Sequence, residues 1–444
     1  MRATPRRRML GAMATLAGIG AAMAAGSAQA ATAPEAETTV LVKVDPNATP
    51  TARAQIARAL DATAVRELGA GWHAYELSGP ADVAGARADL AATSADLAVA
   101  PEVPLRPLAL PNDPLLGPSD GGYQWALSNS GAWAGGVAGA DIGAEAAWQM
   151  SGGAGEVVVA VADTAIDISH PDLSGRIWRN GAEVPANGID DDRNGHVDDL
   201  HGWNFALQSP QIDTAADAEH GTHVAGVIGA AAGNGIGIAG VAPNARIMAL
   251  PFISSGVGST ADAIAAIDYA TRHGARVINA SWGGPSPSPA LCDAIAQAAA
   301  AGVVFVAAAG NAGANNDASP SWPASCSEPS LIAVAASDHA DRLAGYSNTG
   351  AASVDLAAPG SMIVSVLPGG RYGYKSGTSL AAPHVAGALA QLAGVRPDLG
   401  PAQLKGAILA GATRLPELSG RVASGGRLSV SGALSAATGR PARP

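Results

Sequence analysis

The strongest pattern along the chain is a set of short apolar runs separated by alanine-rich or amphipathic stretches. Val157 to Ala162 is a continuous apolar run that ends at Asp163, as expected of a strand buried on both faces. Arg246 to Leu250, Val277 to Ala280, Val303 to Ala308, Leu331 to Ala335 and Met362 to Val366 read as further strands. His220 to Ala230, Ala261 to His273, Ala290 to Ala300, Ser379 to Leu392 and Pro401 to Leu409 read as helices. Strands alternating with helices at these spacings predict an α/β domain of three layers, a mostly parallel sheet with helices on both faces.

Ahead of this domain the pattern is weaker. Thr39 to Lys43 and Trp72 to Leu77 read as strands. Thr51 to Leu68 reads as a helix, with Ile56, Leu60, Val65 and Leu68 on one stripe, and Val83 to Ala98 as a second, alanine-rich helix. Together they predict a small α+β module, too small and alanine-rich to promise a robust core of its own. A proline-rich stretch from Pro101 to Pro118 reads as a linker. The expected organisation is a leader over 1–30, the small module and linker over 31–110, the large domain over 111–436 and a short tail over 437–444.

Composition narrows the class. Hydrophobic residues make up 48% of the 444, enough for a sizeable core, and charged residues only 14%. A net charge of -11 argues against non-specific nucleic-acid binding, and neither a basic stripe nor zinc-finger spacing is present. At the amino end, Arg6, Arg7 and Arg8 precede a mostly apolar stretch from Met9 to Ala25, and Ala28-Gln29-Ala30 has the small residues of a cleavage site. This is the layout of a signal peptide, and its paired arginines loosely match a twin-arginine export signal. No second run of eighteen strongly apolar residues follows, so no membrane span is expected after processing. Cys292 and Cys326 suit an oxidising compartment.

Three segments carry candidate chemistry: Val161-Ala162-Asp163-Thr164-Ala165, His220-Gly221-Thr222-His223, and Gly377-Thr378-Ser379-Leu380-Ala381-Ala382-Pro383-His384. Taken singly, Asp163 reads as a helix cap or calcium ligand, His220 and His223 as packed or metal-binding histidines, and Ser379 as a helix N-cap. No Glu completes a His-Glu-x-x-His zinc pattern. Taken together and in this order, the segments resemble those of the subtilisin-like serine peptidases, over roughly Asn112 to Leu434. The resemblance implies that Asp163 is the acid, His220 the base and Ser379 the nucleophile; the Asp, His, Ser order is the known order of subtilisin itself. Ala165 departs from the family's usual Gly, and Leu380 from its frequent Met. The chemistry is self-consistent. A serine hydroxyl needs a neighbouring base, and a carboxylate on the far ring nitrogen fixes the imidazole tautomer. A nucleophile at a helix start also lies near free N–H groups, and Pro383 is expected to be tolerated as part of the first helical turn.

The same resemblance places a second oxyanion donor at Asn311, in Ala308-Ala309-Gly310-Asn311, where a turn residue is the local reading. It assigns the substrate strand and primary pocket to Ser281, Trp282, Gly283 and Gly284, with no charge there to select a charged side chain. Broad specificity is therefore expected, with a preference for apolar side chains before the cut bond. The module over 31–110 resembles an inhibitory propeptide that helps the enzyme fold and is then removed. The alternative from another class is an inactive peptide-binding homologue. Structural calcium is expected, with none needed for the chemistry. Asp190, Asp192, Asn194 and Asp198 fall at positions 1, 3, 5 and 9 of a calcium loop with Gly195 at position 6, although His201 stands where a bidentate Glu belongs. Asp172, Asn234 and Asp113, with carbonyls of Ala232, Ile236 and Ile238, match a second calcium site by resemblance. Cys292 and Cys326, the only two cysteines, are expected to pair as in related secreted peptidases. The expected molecule is a secreted monomer acting on protein or peptide substrates, with its own propeptide as partner.

Overall fold

The computed structural model describes residues 39–440, apart from 46–47, 70, 79–82, 92–96, 102–110, 117–122, 153 and 215–216. The expected leader, most of the proline-rich stretch and the last four residues lie outside the described residues. The chain divides into two compact units, Met1–Pro107 and Leu108–Pro444.

The first unit runs β1 (Thr39–Lys43), α1 (Pro50–Ala59), β2 (Ala62–Gly69), β3 (Trp72–Leu77), α2 (Val83–Ala91) and β4 (Ala98–Pro101). Its four strands form an antiparallel sheet in the order β2-β3-β1-β4. Helix α1 starts where Thr49 Oγ1 accepts from the Ala52 N–H at 3.2 Å, with Pro50 pre-set for the first helical position. Val40, Val42, Ile56, Leu60, Tyr75 and Leu90 make a small core. The expected helix over Thr51 to Leu68 stops at Ala59. Asp61 turns the chain with φ 48°, and the next residues pair with β3 instead. Val65 and Leu68, which extend the apolar stripe on paper, are exposed. Likewise α2 ends at Ala91, and Ala98 belongs to β4.

The second unit opens with α3 (Ala144–Met150), β5 (Val157–Asp163) and α4 (Ala218–Gly229). Strand β6 (Ala245–Pro251) leads into the hairpin β7 (Ile253–Ser254) and β8 (Val257–Gly258), then α5 (Thr260–Arg272), β9 (Val277–Ala280), α6 (Pro289–Ala300) and β10 (Val304–Ala308). Next come β11 (Ile332–Ser337), β12 (Leu356–Pro359), the hairpin β13 (Ile363–Leu367) and β14 (Arg371–Lys375), and α7 (Thr378–Val395). The chain ends with α8 (Pro401–Gly411), β15 (Thr413–Arg414), β16 (Gly426–Arg427) and α9 (Val430–Thr438).

The main sheet has eight strands in the order β15-β16-β12-β11-β10-β9-β5-β6, parallel except at the β15–β16 edge. Successive residues of β5 point to opposite faces. Val157, Val159 and Val161 join the core with α4 and α7, whereas Ala160 and Ala162 join the core with α5 and α6. That alternation defines three layers, the α/β architecture expected from the sequence. Because β5, β9 and β10 are parallel neighbours, their carboxyl ends lie along one edge of the sheet. Asp163 closes β5, while Ser281 and Asn311 follow β9 and β10. A disulfide joins Cys292 of α6 to Cys326.

Candidate active site

Strand β5 delivers Asp163 fully buried at the sheet edge. Its Oδ1 accepts from the Thr164 N–H at 2.7 Å and pairs with His220 Nδ1 at 2.7 Å, and Oδ2 has no protein hydrogen bond. His220 lies in the first turn of α4. The helix comes this close because Gly221 has no Cβ; one built there would stand 2.5 Å from the Thr164 carbonyl oxygen and 2.7 Å from that of Ala165. The Asp163 carboxylate raises the His220 pKa above its usual 6.5, outweighing the opposite effect of burial. Since Nδ1 donates to Asp163, Nε2 is the nitrogen left to take a proton.

Ser379 is the second residue of α7, which packs against α4. Asn311 faces the same point from the loop after β10. Its Oδ1 accepts from the Thr378 N–H at 2.8 Å and from the Thr378 hydroxyl at 2.9 Å, which leaves its Nδ2 as a free donor. Gly310 allows this turn with φ +113°, where a Cβ would stand 2.5 Å from the Asn348 amide. The tie from Thr378 to Asn311 was missed by the sequence reading, although Thr378 sits inside the Gly-Thr-Ser segment.

Beside Ser379 opens a cavity of about 400 Å³. Its lining includes Trp282, Gly283, Gly284, Ala308, Asn311, Ser319 and Ser379, and no charged residue. Trp282 also donates its indole N–H to the Ala162 carbonyl at 2.8 Å and packs edge-on against Phe252. Ser281 behaves differently from its neighbours. It is 4% exposed, and its hydroxyl points back into the protein, 2.7 Å from the Ser379 carbonyl oxygen.

The expected place of Pro383 needs correction. Helix α7 begins at Thr378, so Pro383 lies inside it rather than in its first turn. It supplies no N–H to the Ser379 carbonyl four residues back.

Two groups of side-chain oxygens stand out in the second unit. Asp172 is fully buried; its carboxylate accepts from Asn234 Nδ2 at 2.8 Å, the Ile238 N–H at 3.0 Å and the Tyr372 hydroxyl at 2.9 Å. Asp113, 2% exposed, accepts from the Gly233 N–H at 2.8 Å, and its Oδ1 finds no protein donor. Burial, reinforced by nearby Asp172, raises the Asp113 pKa. In the acidic loop, Asp190 caps the Asn194 and Gly195 N–H groups, and Asp198 caps those of Asn187 and Gly188. Glu183, Asp192 and Asp199 converge, offering carboxylate oxygens within 4.8 Å of one another. Asn194 donates to both Asp192 and Asp199. Glu183 and Asp199 were missed by the sequence reading. Asp199 directly follows the loop positions weighed, but nothing local marks Glu183.

The aspartate-paired histidine lies in the same unit as a serine at a helix start and an amide beside an uncharged cleft. The model of the Subtilase family matches residues 154–427, and the chain belongs to that family of serine peptidases. It is 40% identical to a subtilisin of Bacillus pumilus over 262 residues, covering 58% of this chain and 84% of that protein. It is also 40% identical over 248 residues to a thermophilic serine proteinase of Bacillus sp. (strain AK1), and spans 54% of that relative's length. A solved protease of Pseudoalteromonas arctica superposes with a TM-score of 0.58 at 30% identity, covering 74% of this chain and all of that one. Among the described residues, no helix is long and apolar enough to cross a membrane.

Proposed function

We propose that this chain is a secreted serine endopeptidase in which Ser379 attacks the peptide carbonyl and forms an acyl-enzyme. The observation that carries this reading is the 2.7 Å pair between buried Asp163 and His220 Nδ1 in the unit that also presents Ser379 and Asn311 at one cavity. His220 Nε2 takes the hydroxyl proton as Ser379 bonds to carbon. Asp163 holds the tautomer and favours the imidazolium that results. The oxyanion receives the Ser379 N–H and Asn311 Nδ2. The imidazolium then protonates the leaving amine, and water repeats the sequence to release the acid.

Gly284 leaves open space where a side chain would stand, although its backbone pairs with Trp322, and the uncharged cavity suits an apolar side chain before the cut bond. The module over 31–110 acts as an inhibitory propeptide and folding aid that the enzyme removes from itself. The leader over residues 1–30 directs export, and the mature enzyme works as a monomer without nucleic acid or membrane.

Calcium fits both groups of oxygen ligands. Unpartnered buried oxygens on Asp113 and Glu183 are what a hard cation would satisfy. Asp113, Asp172 and Asn234 would hold one ion; Glu183, Asp192 and Asp199 would hold another, with Asp190, Asn194 and Asp198 shaping its loop. Bound there, calcium supplies positive charge to buried carboxylates and takes no part in bond cleavage.

Replacing Ser379 with Ala tests the reading. The variant is expected to fold, to lose peptide hydrolysis, and to remain joined to its amino-terminal unit in a host without other extracellular proteases. Intact-mass analysis and a peptide assay decide it. Wild-type cleavage by the purified variant would remove Ser379 from the mechanism, and maturation at the wild-type bond would refute self-processing.

A further inference from the structure

The nucleophile's own carbonyl presents a problem that the fold solves in an unusual place. In an α-helix each carbonyl accepts from the N–H four residues on, and for Ser379 that residue is Pro383, which has none. A buried carbonyl without a donor is costly. Here the donor is Ser281 Oγ, at 2.7 Å from the Ser379 oxygen. Ser281 Oγ in turn accepts from Asn279 Nδ2 at 2.9 Å, which commits its single proton to Ser379. On the other side of the same peptide plane, the Leu380 N–H donates to the Gly377 carbonyl at 3.0 Å.

We propose that Ser281 is a positioning residue for the nucleophile. Its hydroxyl stands in for the helix N–H that Pro383 lacks and fixes the Ser379–Leu380 peptide plane, and so the direction of the Ser379 side chain. The chain from Asn279 through Ser281 to Ser379 ties the end of β9 to the start of α7. Ser281 therefore works behind the substrate rather than against it, unlike the neighbouring Trp282, Gly283 and Gly284, which line the cavity. This inference rests on Ser379 being the nucleophile.

The test compares Ser281→Ala, Ser281→Cys, Pro383→Ala and the Ser281→Ala/Pro383→Ala pair, with active sites counted by a serine-directed phosphonate. Labelling of wild type at Ser379 checks the underlying reading separately. Ser281→Ala is expected to lower kcat roughly 10- to 100-fold, with KM within about twofold of wild type, as misplacing a reacting group does. The midpoint of the pH profile should stay put, since Asp163 and His220 are untouched. Ser281→Cys, a weaker donor of similar size, should fall between Ser and Ala. Pro383→Ala restores a backbone N–H to Ser379, so the same Ser281→Ala change should cost much less in that background. Unchanged kcat in Ser281→Ala overturns the proposal, as does a rise in KM alone, which would make Ser281 a substrate contact. Equal losses in both Pro383 backgrounds also overturn it. If Pro383→Ala does not fold, the Ser, Cys, Ala series decides: a Cys variant as slow as Ala refutes the hydrogen bond.

Discussion

Histidines 220, 223 and 384 all fall within the motif segments, and their surroundings separate them. Burial pushes His223 down to about 3 and His384 down to about 4, so both stay neutral near pH 7. His220 alone is raised, by the Asp163 carboxylate. The active form of a general base is the neutral one. Activity should therefore fall as pH drops through a midpoint above 6.5, and kcat/KM measured against pH reads that midpoint directly. Asp163→Asn should shift the midpoint down and cut kcat by about 10⁴-fold, the scale known for losing this partner elsewhere. An unshifted midpoint would show that another group controls the limb. For stability the sign reverses. A raised histidine pKa means that the pair stabilises the fold fully below the unfolded value and ceases to do so as pH rises through the folded value.

Among the elements, α4 and its close approach to the end of β5 bear directly on the site. Gly221→Ala would push a methyl into backbone oxygens of Thr164 and Ala165, atoms that cannot swing aside. A loss of about 1–3 kcal/mol is expected from such overpacking, measured by denaturant melts in the Ser379→Ala background to prevent autolysis. Wild-type stability in that variant would mean that the helix is free to retreat. Strands β5, β9, β10 and β11 were legible because burial on both faces writes itself as an unbroken apolar run, as in Val157 to Ala162, whereas the equally buried, four-residue β12 was not read. The amino-terminal helix was overdrawn because Val65 and Leu68 continue its period, while the pairing of β2 with β3 is a tertiary choice. Strand β14 escaped notice since Arg371 to Lys375 is only half-buried and mostly polar. The Asp163, His220 and Ser379 segments were legible as local motifs. The links of Ser281 to Ser379 and Asn311 to Thr378 were not, because they join residues 98 and 67 positions apart.

At the scale of the molecule, long-range ties should dominate stability. The Cys292–Cys326 disulfide closes a loop of 34 positions, worth about 3–4 kcal/mol in the chain-entropy picture. Reduction, or a Cys292→Ser/Cys326→Ser double variant, should lower the melting temperature by several degrees; an unchanged melt would deny the bond a stabilising role. Calcium should raise the melting temperature and slow autolysis. The gain is about 2.7 kcal/mol once free calcium is a hundredfold above its Kd. Asp172→Asn and Glu183→Gln should each remove part of the shift between calcium and chelator. A melt that is identical in both solutions would count against structural calcium.

The order of strands in the main sheet carries one more consequence. Its neighbours β5, β9 and β10 are made early, whereas α7, which carries Ser379 and is buried along nearly its whole length, is made after all three. During synthesis Asp163, His220 and Asn311 therefore emerge before Ser379, and α7 packs against strands made earlier. On the proposed mechanism, a chain stalled or clipped before Thr378 is expected to have no cutting power, however well its earlier parts have collapsed. Under the proposed mechanism incomplete copies are inert because the attacking hydroxyl is made late, a safeguard that acts beside the inhibitory module.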